Sequence, residues 1–314
     1  MSDLRDLVRD VTRGSGDVWA TLDELGLTTI GVAEELGGSG GGTRELAEVA
    51  EVLGERGGTV PFAEHTTAAR AMAEATGRIP DLGTVAVAFS PDRLTVPWAA
   101  RSSHLVVLTP GADAAVVDLR ADGVVVVPGV DAAGRGLDDV TAPPAAVRPL
   151  PGADPDALLA GLALLRCASI VGACRAAYRL TRDHVGTREQ FGRPLVRLPA
   201  VATALARLRT EVLQAEIALA AALDAADGER ALPAVALARV VCGAAATEVA
   251  RIAHQLHGAM GITREYGLHP LTRLLWAERD ADLPEQHWAE LLGGLVLDGG
   301  EGRLWCELTA GPAG

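Results

Sequence analysis

The stretch that most limits what this chain can fold into runs from Pro155 to His257, where alanine, leucine and valine recur so densely that the helices must be covered on most of their faces. Asp154-Pro155-Asp156 reads as an N-cap, a proline in the first turn and an acid favoured by the helix dipole. The apolar pattern then continues to about Val185, and Gly186 is expected to stop that helix. Pro199 opens a second helix predicted to end at Asp227-Gly228, and a third spans Pro233 to His257. Shorter helices are predicted over Pro270–Arg279 and Pro284–Leu292, with Gly293-Gly294 beginning a weakly patterned tail that holds Trp305 and Cys306. In isolation such a bundle would expose a large alanine and leucine patch, which implies an oligomer.

Thr187-Arg188-Glu189-Gln190-Phe191-Gly192-Arg193-Pro194 connects the first two long helices. Together with Arg197 it holds the one basic concentration suited to a ligand, because arginine forks onto phosphate oxygens and peptide N–H groups near a helix start add to that. Taken alone, Arg188 would be a solvated surface residue. A formal net charge of -13 and the lack of a basic run argue against nucleic acid as a partner. The polar start Met1-Ser2-Asp3-Leu4-Arg5 lacks a signal-like apolar region, and no uncharged apolar run reaches spanning length, so the expectation is a cytoplasmic protein with no membrane partner. Cys167, Cys174, Cys242 and Cys306 show no CxxC pairing and read as small core residues. His254 and His257 lie three apart near a helix end without a third ligand at suitable spacing, so no metal site is expected.

Upstream, residues 1–82 read as a helical domain, with Trp19, Leu22 and Leu25-Gly26-Leu27 on a first apolar stripe and a second helix from Thr43 to Leu53, ended by Gly54 and Gly57-Gly58. Pro61 begins another helical segment to about Gly77. By composition the segment Gly37-Gly38-Ser39-Gly40-Gly41-Gly42 could be only a flexible linker. Residues 83–150 switch to a period of two: Val85–Phe89, His104–Leu108, Ala115–Leu119 and Val124–Val127 are predicted strands of a small, mostly antiparallel sheet. Residues 151–314 form the helix bundle. The whole is therefore α+β.

TREQFGRPL, with Gln255-Leu256-His257-Gly258-Ala259-Met260-Gly261-Ile262-Thr263-Arg264-Glu265-Tyr266 downstream, resembles the paired signatures of the acyl-CoA dehydrogenase family, flavoenzymes that desaturate acyl thioesters. The resemblance covers most of the chain, and it implies that the glycine-rich segment, preceded by the acidic pair Glu34-Glu35, is an ordered turn like the one after the first helices of that family. It implies that Arg188 meets the pyrophosphate of FAD, that Phe191 packs near the adenine, and that Gln255 with the peptide groups of Gly258, Ala259 and Met260 receives the other phosphate and ribose contacts, all across a subunit boundary. Ala259 stands where the family often has glycine. Without that context, Gln255 to Gly261 is a helix C-cap and a glycine turn.

The departures from the family are as informative. Neither the threonine- and serine-bearing loop nor the tryptophan-threonine pair that embraces the flavin ring is present, and Trp98 reads as core packing. One family position for the glutamate base falls on Leu162-Ala163, with neither a carboxylate nor the accompanying arginine. The other falls near Ala281-Asp282-Leu283-Pro284, where Asp282 is one methylene short, and with Glu278 and Glu285 nearby it reads as part of an acidic, solvated helix end. The resemblance thus points to the shortened partner chain of a heteromeric (alpha2beta2) enzyme of actinobacterial type, sharing FAD with a second dehydrogenase subunit that brings the base and most of the pocket for an acyl-CoA such as a steroid side-chain conjugate. A self-sufficient homo-oligomer using Asp282, and a non-catalytic scaffold or thioester-binding partner, are the alternatives.

Overall fold

The structure, a computed structural model, describes residues 3–14, 16–58, 60–88, 94–226, 228, 231–263, 265–300 and 302. Phe89, Asp227, Arg264, Trp305 and Cys306 lie outside the described residues. The chain divides into two compact units, Met1–Ala50 with Thr59–Leu165, and Glu51–Gly58 with Arg166–Gly314.

The first unit holds helices α1 (Asp3–Arg13), α2 (Val18–Glu24), the first two turns of α3 (Thr43–Glu55) and α4 (Phe62–Thr76). Asp17 caps α2, its Oδ1 accepting from the Trp19 and Ala20 amides. The glycine-rich segment is an ordered turn, as the family resemblance implies: Gly31 N donates to Gly40 O at 2.8 Å and Gly40 N donates to Val32 O at 2.9 Å. A side chain at Gly38 would overlap the Val32 carbonyl, so only glycine lets those two backbones close. Gly54 lies inside α3, and it is Gly57 and Gly58, both at positive φ, that end the helix.

The residues 83–150 form two sheets where the period-two pattern indicated one. Strands β1 (Gly83–Val87), β3 (His104–Leu108), β4 (Ala115–Asp118) and β7 (Val147–Pro149) pair in the order β1-β3-β4-β7, with β1 and β3 parallel. The second sheet is β2 (Leu94–Pro97), β6 (Leu137–Thr141) and β5 (Val125–Val127), all antiparallel. Ala86, Val96, Leu105, Val107, Val117 and Val140 share one core. Trp98 is buried, as expected of a packing residue. His65 on α4 is buried edge-on to Trp19, and its Nδ1 accepts the Gly83 amide at 3.0 Å. Burial pushes its pKa down to about 4, against a weaker upward pull from Asp23.

The second unit is helical: most of α5 (Pro155–Thr187), α6 (Pro199–Ala225), α7 (Ala231–His257), α8 (Leu268–Arg279) and α9 (Glu285–Gly299). Asp154 caps α5 as expected, accepting from the Asp156 and Ala157 amides. Gly186 does not end α5, which runs on to Thr187, and α9 continues through Gly293-Gly294 to Gly299. A glycine costs a helix only about 1 kcal/mol, which by itself does not end one. By length and composition α5 could cross a membrane, yet 89% of its most apolar window is buried inside the protein, as in a core helix. Gly54 of α3 faces the Ser169 backbone and Gly172 of α5 faces the Glu51 backbone, so the two helices touch main chain to main chain. Arg175 then reaches both Glu51 and Glu216, and Arg179 reaches Glu55.

Two outcomes test these contacts. Gly172→Ala drives a methyl into the Glu51 carbonyl and should cost several kcal/mol in urea unfolding, on the order of 3 or more. Gly161→Ala on the same helix meets nothing within 4 Å and should be neutral or stabilising by up to about 1 kcal/mol. His65 titrates near 6.5 when unfolded but near 4 when folded, so its contribution is full above pH 6.5 and is lost as the pH falls toward 4. His65→Gln should flatten an acid-side stability loss on the order of 3 kcal/mol, read from unfolding midpoints across that range.

Candidate functional site

Two helix ends of the second unit carry the residues singled out in the sequence. At the end of α5, the Arg188 amide donates to His184 O at 2.8 Å, and Leu195 N donates to Arg188 O at 2.8 Å, closing a two-stranded hairpin, β8 (Glu189–Gln190) with β9 (Arg193–Pro194). Its central residues Phe191 and Gly192 have φ of 55° and 75°, the geometry of a tight hairpin turn whose twist matches the strands. Glycine takes that conformation freely, whereas a phenylalanine in it costs on the order of 1–2 kcal/mol. Phe191 is also 86% exposed, so the ring is held out from this chain at an energetic cost. Arg188, Arg193 and Arg197 are exposed and carry no ion pair among the described residues.

At the end of α7, Gln255 is exposed, and His257 leads into a 3-10 turn over Gly258–Ile262. Gly258 has φ of 60° and would be strained as any other residue. Ala259 is exposed and is not at positive φ, so its methyl strains nothing. Met260 is 40% exposed beside it. The two ends meet through His184 and His257, whose rings stack with centroids 4.5 Å apart and planes 20° apart. Tyr266 tilts against the His257 ring at 5.1 Å and donates its hydroxyl to His257 Nε2 at 3.2 Å. Arg188 and Phe191 are thus brought to the same end of the unit as Gln255, Gly258, Ala259 and Met260.

Asp282 is elsewhere, and the solvated helix end expected there is a buried ion cluster. Its side chain is 6% exposed, and it sits at φ 64° in the turn between α8 and α9. Arg166 of α5, buried, donates from Nε to Asp282 Oδ2 at 3.0 Å and from Nη2 to Oδ1 at 3.4 Å, and its Nη1 meets Glu278 Oε2 at 3.3 Å. Arg239 of α7 donates to the backbone carbonyls of Glu278, Arg279 and Ala281, tying down the last turn of α8. Arg166 lies three residues after Ala163, and its pairing with Asp282 is the feature the sequence reading did not anticipate. Motif spacing hid it because the pairing spans 116 residues and is made by folding alone.

His254 is also committed, to Thr272 Oγ1 at 2.9 Å and to the Trp276 ring. Cys167, Cys174 and Cys242 are buried free thiols. On the first unit a cavity of about 370 Å³ is lined by Asp113, Ala115, Ala142, Pro144, Val147 and Pro149. One carboxylate among apolar walls does not suit a phosphate.

The chain has the fold of the acyl-CoA dehydrogenases. The Tcur3481-Tcur3483 steroid ACAD superposes with a TM-score of 0.83 at 22% identity, over 95% of this chain and 97% of that one. The ChsE4-ChsE5 complex from Mycobacterium tuberculosis gives 0.80 at 21% identity, over 94% and 96%. The family model described as acyl-CoA dehydrogenase, C-terminal domain, matches residues 157–279. Acyl-CoA dehydrogenase FadE28 of M. tuberculosis is 29% identical over 328 residues, spanning 88% of this chain and 91% of its own length. Residues 157–279 thus match the C-terminal domain of the acyl-CoA dehydrogenase family, whose members depend on FAD, and the chain has that family's fold.

The ion cluster yields a direct test. Arg166→Ala leaves Glu278 and Asp282 without their buried cation and should cost on the order of 3–5 kcal/mol in chemical unfolding. Arg197→Ala, at an exposed position, should cost less than about 0.5 kcal/mol.

Proposed function

We propose that this chain is the partner subunit of a heteromeric FAD-dependent acyl-CoA dehydrogenase, gripping the adenine and pyrophosphate end of the cofactor while a second dehydrogenase chain provides the base and most of the acyl pocket. The observation that carries it is a contrast within one unit. The residues for the dinucleotide tail stand exposed together at two joined helix ends, while Asp282, the carboxylate nearest a family base position, has both oxygens engaged by a buried arginine.

The donor set fits the group. Arg188 offers planar N–H pairs to pyrophosphate oxygens, with Arg193 and Arg197 adding positive potential. Phe191 presents an open ring face to the adenine. Gln255 and the peptide groups of Gly258, Ala259 and Met260 supply further polar contacts beside a backbone that Gly258 leaves bare. FAD supplies the hydride acceptor for desaturating an acyl thioester. Arg166 holds Asp282 in place, which makes this carboxylate a structural anion in the reading preferred here. Of the two similar structures, one is a steroid ACAD and the other a two-component complex, which supports a heteromeric assembly and a bulky substrate such as a steroid side-chain thioester. The exposed Leu213 and Ile217 on α6 support burial against another chain.

One observation favours the rival in which this chain is self-sufficient: an arginine fork also orients a carboxylate, so Asp282 could be a positioned base. Co-purification with a longer dehydrogenase-like chain separates the readings. In that complex Arg188→Ala should lose most of the bound flavin, read from its visible absorbance, and this loss would also argue against a scaffold. Asp282→Asn should leave turnover within a few-fold, whereas a base would cost on the order of a hundredfold or more. FAD bound stoichiometrically by the chain alone, with acyl-CoA oxidation, would refute the partner reading.

A further inference from the structure

The His184–His257 stack is not accounted for by the dinucleotide contacts, and it is the feature that holds their two halves together. His184 lies one helical turn before Arg188 and accepts the Arg188 amide on its own carbonyl. His257 is the last residue of α7, immediately before Gly258. The tautomer of His257 is set by its partners. Nδ1–H donates to Ala253 O at 2.8 Å, so Nε2 must accept the Tyr266 hydroxyl. Tyr266 is in turn held through its carbonyl, which accepts from His269 Nδ1 at 3.3 Å. The tyrosine ring also meets His184 edge-on at 6.2 Å.

We propose that His184, His257 and Tyr266 are positioning residues that clasp the Arg188 hairpin to the Gly258 turn, and that the clasp opens in acid. It deepens the proposed dinucleotide site and rests on that reading for its ligand, though the clasp itself can be observed without one. The sign follows from the surroundings. Burial lowers the pKa of both imidazoles, and Arg188 lowers that of His184 further while the Ala253 carbonyl partly offsets the shift at His257. The charged and titratable groups facing the pair are Arg188 and Asp183 from α5, His254 from α7, Tyr266 from the turn after it and His269 from α8. Asp183 acts on Tyr266, so it does not compensate a charge on the stack directly. At neutral pH both rings are uncharged and stack. A proton on His257 alone only reverses its hydrogen bond to Tyr266, because a hydroxyl accepts as well as donates, and the clasp opens when both rings are charged and two like charges lie face to face beside Arg188.

Hydrogen exchange of the full chain, corrected for the intrinsic pH dependence, reads the clasp directly over residues 188–195 and 258–262. In the native protein both segments should exchange at least about tenfold faster at about pH 5 than at about pH 7.5. His184→Ala should exchange fast at both values. His184→Phe should restore protection at both, because a phenyl ring keeps the stacking face and leaves at most one positive charge, on His257, which that face tolerates. Tyr266→Phe should lose protection at neutral pH without moving the melting temperature by more than a few degrees. Unchanged protection in His184→Ala, or an acid loss that persists in His184→Phe, would overturn the clasp. ADP added at neutral pH should slow exchange in the native chain and in His184→Phe but not in His184→Ala. No ADP effect in any variant would count against the dinucleotide reading alone, with the clasp still decided by the exchange rates.

Discussion

A guanidinium withdrawn from water has to be met by anions and acceptors placed around it, and Arg166 imposes that condition on the helical unit. With Glu278 and Asp282 both turned onto it, the end of α8 and the turn that follows have one place they can be. Arg239 adds a second buried cation whose hydrogen bonds go to backbone carbonyls of the same turn. The strained left-handed backbone at Asp282 is what brings its carboxylate round to Arg166. A residue that looks like a candidate base in one dimension is, in three, the far side of an ion cluster.

The rest of the unit is arranged by close approach. Alanine-rich helices can pack at short distance, and Gly54 and Gly172 take this to the limit, where the main chains of α3 and α5 touch. Arg175 and Arg179 then stitch the same pair of helices at the edge of that contact. With its middle fixed in this way, α5 ends in a defined place, and so does the hairpin bearing Arg188 and Phe191. The ring exposed at the hairpin tip and the uncovered arginines are the features this architecture presents outward.

Much of this was readable from residues. The Asp154 cap, the proline starts, the period-two strands of β1, β3, β4 and β5 and the buried Trp98 all depend on local backbone preferences or on burial patterns that short segments express. The misses share another cause. β2, β6 and β7 carry Thr, Pro, Asp and Arg that blur alternation, and they become strands because neighbouring strands accept their hydrogen bonds. Gly186, Gly54 and Gly293-Gly294 were read as stops, yet each lies within a helix, because a glycine costs a helix only about 1 kcal/mol and stops it only where the backbone turns to positive φ, as at Gly57 and Gly58.

The candidate site divides along the same line. Arg188, Phe191, Gln255 and Gly258 were singled out by the family resemblance, which is carried on two short motifs of fixed spacing. The clasp of His184, His257 and Tyr266 and the engagement of Asp282 by Arg166 were not, since they join residues up to 116 positions apart and have no local signature. The amino-acid order alone determined the α+β composition, the long apolar helices and the two motif segments, all consequences of local propensity and periodic burial. Tertiary structure alone decided which helix ends meet and which carboxylate is neutralised, because a buried charge or an unfilled stacking face is satisfied only by whatever the fold brings beside it.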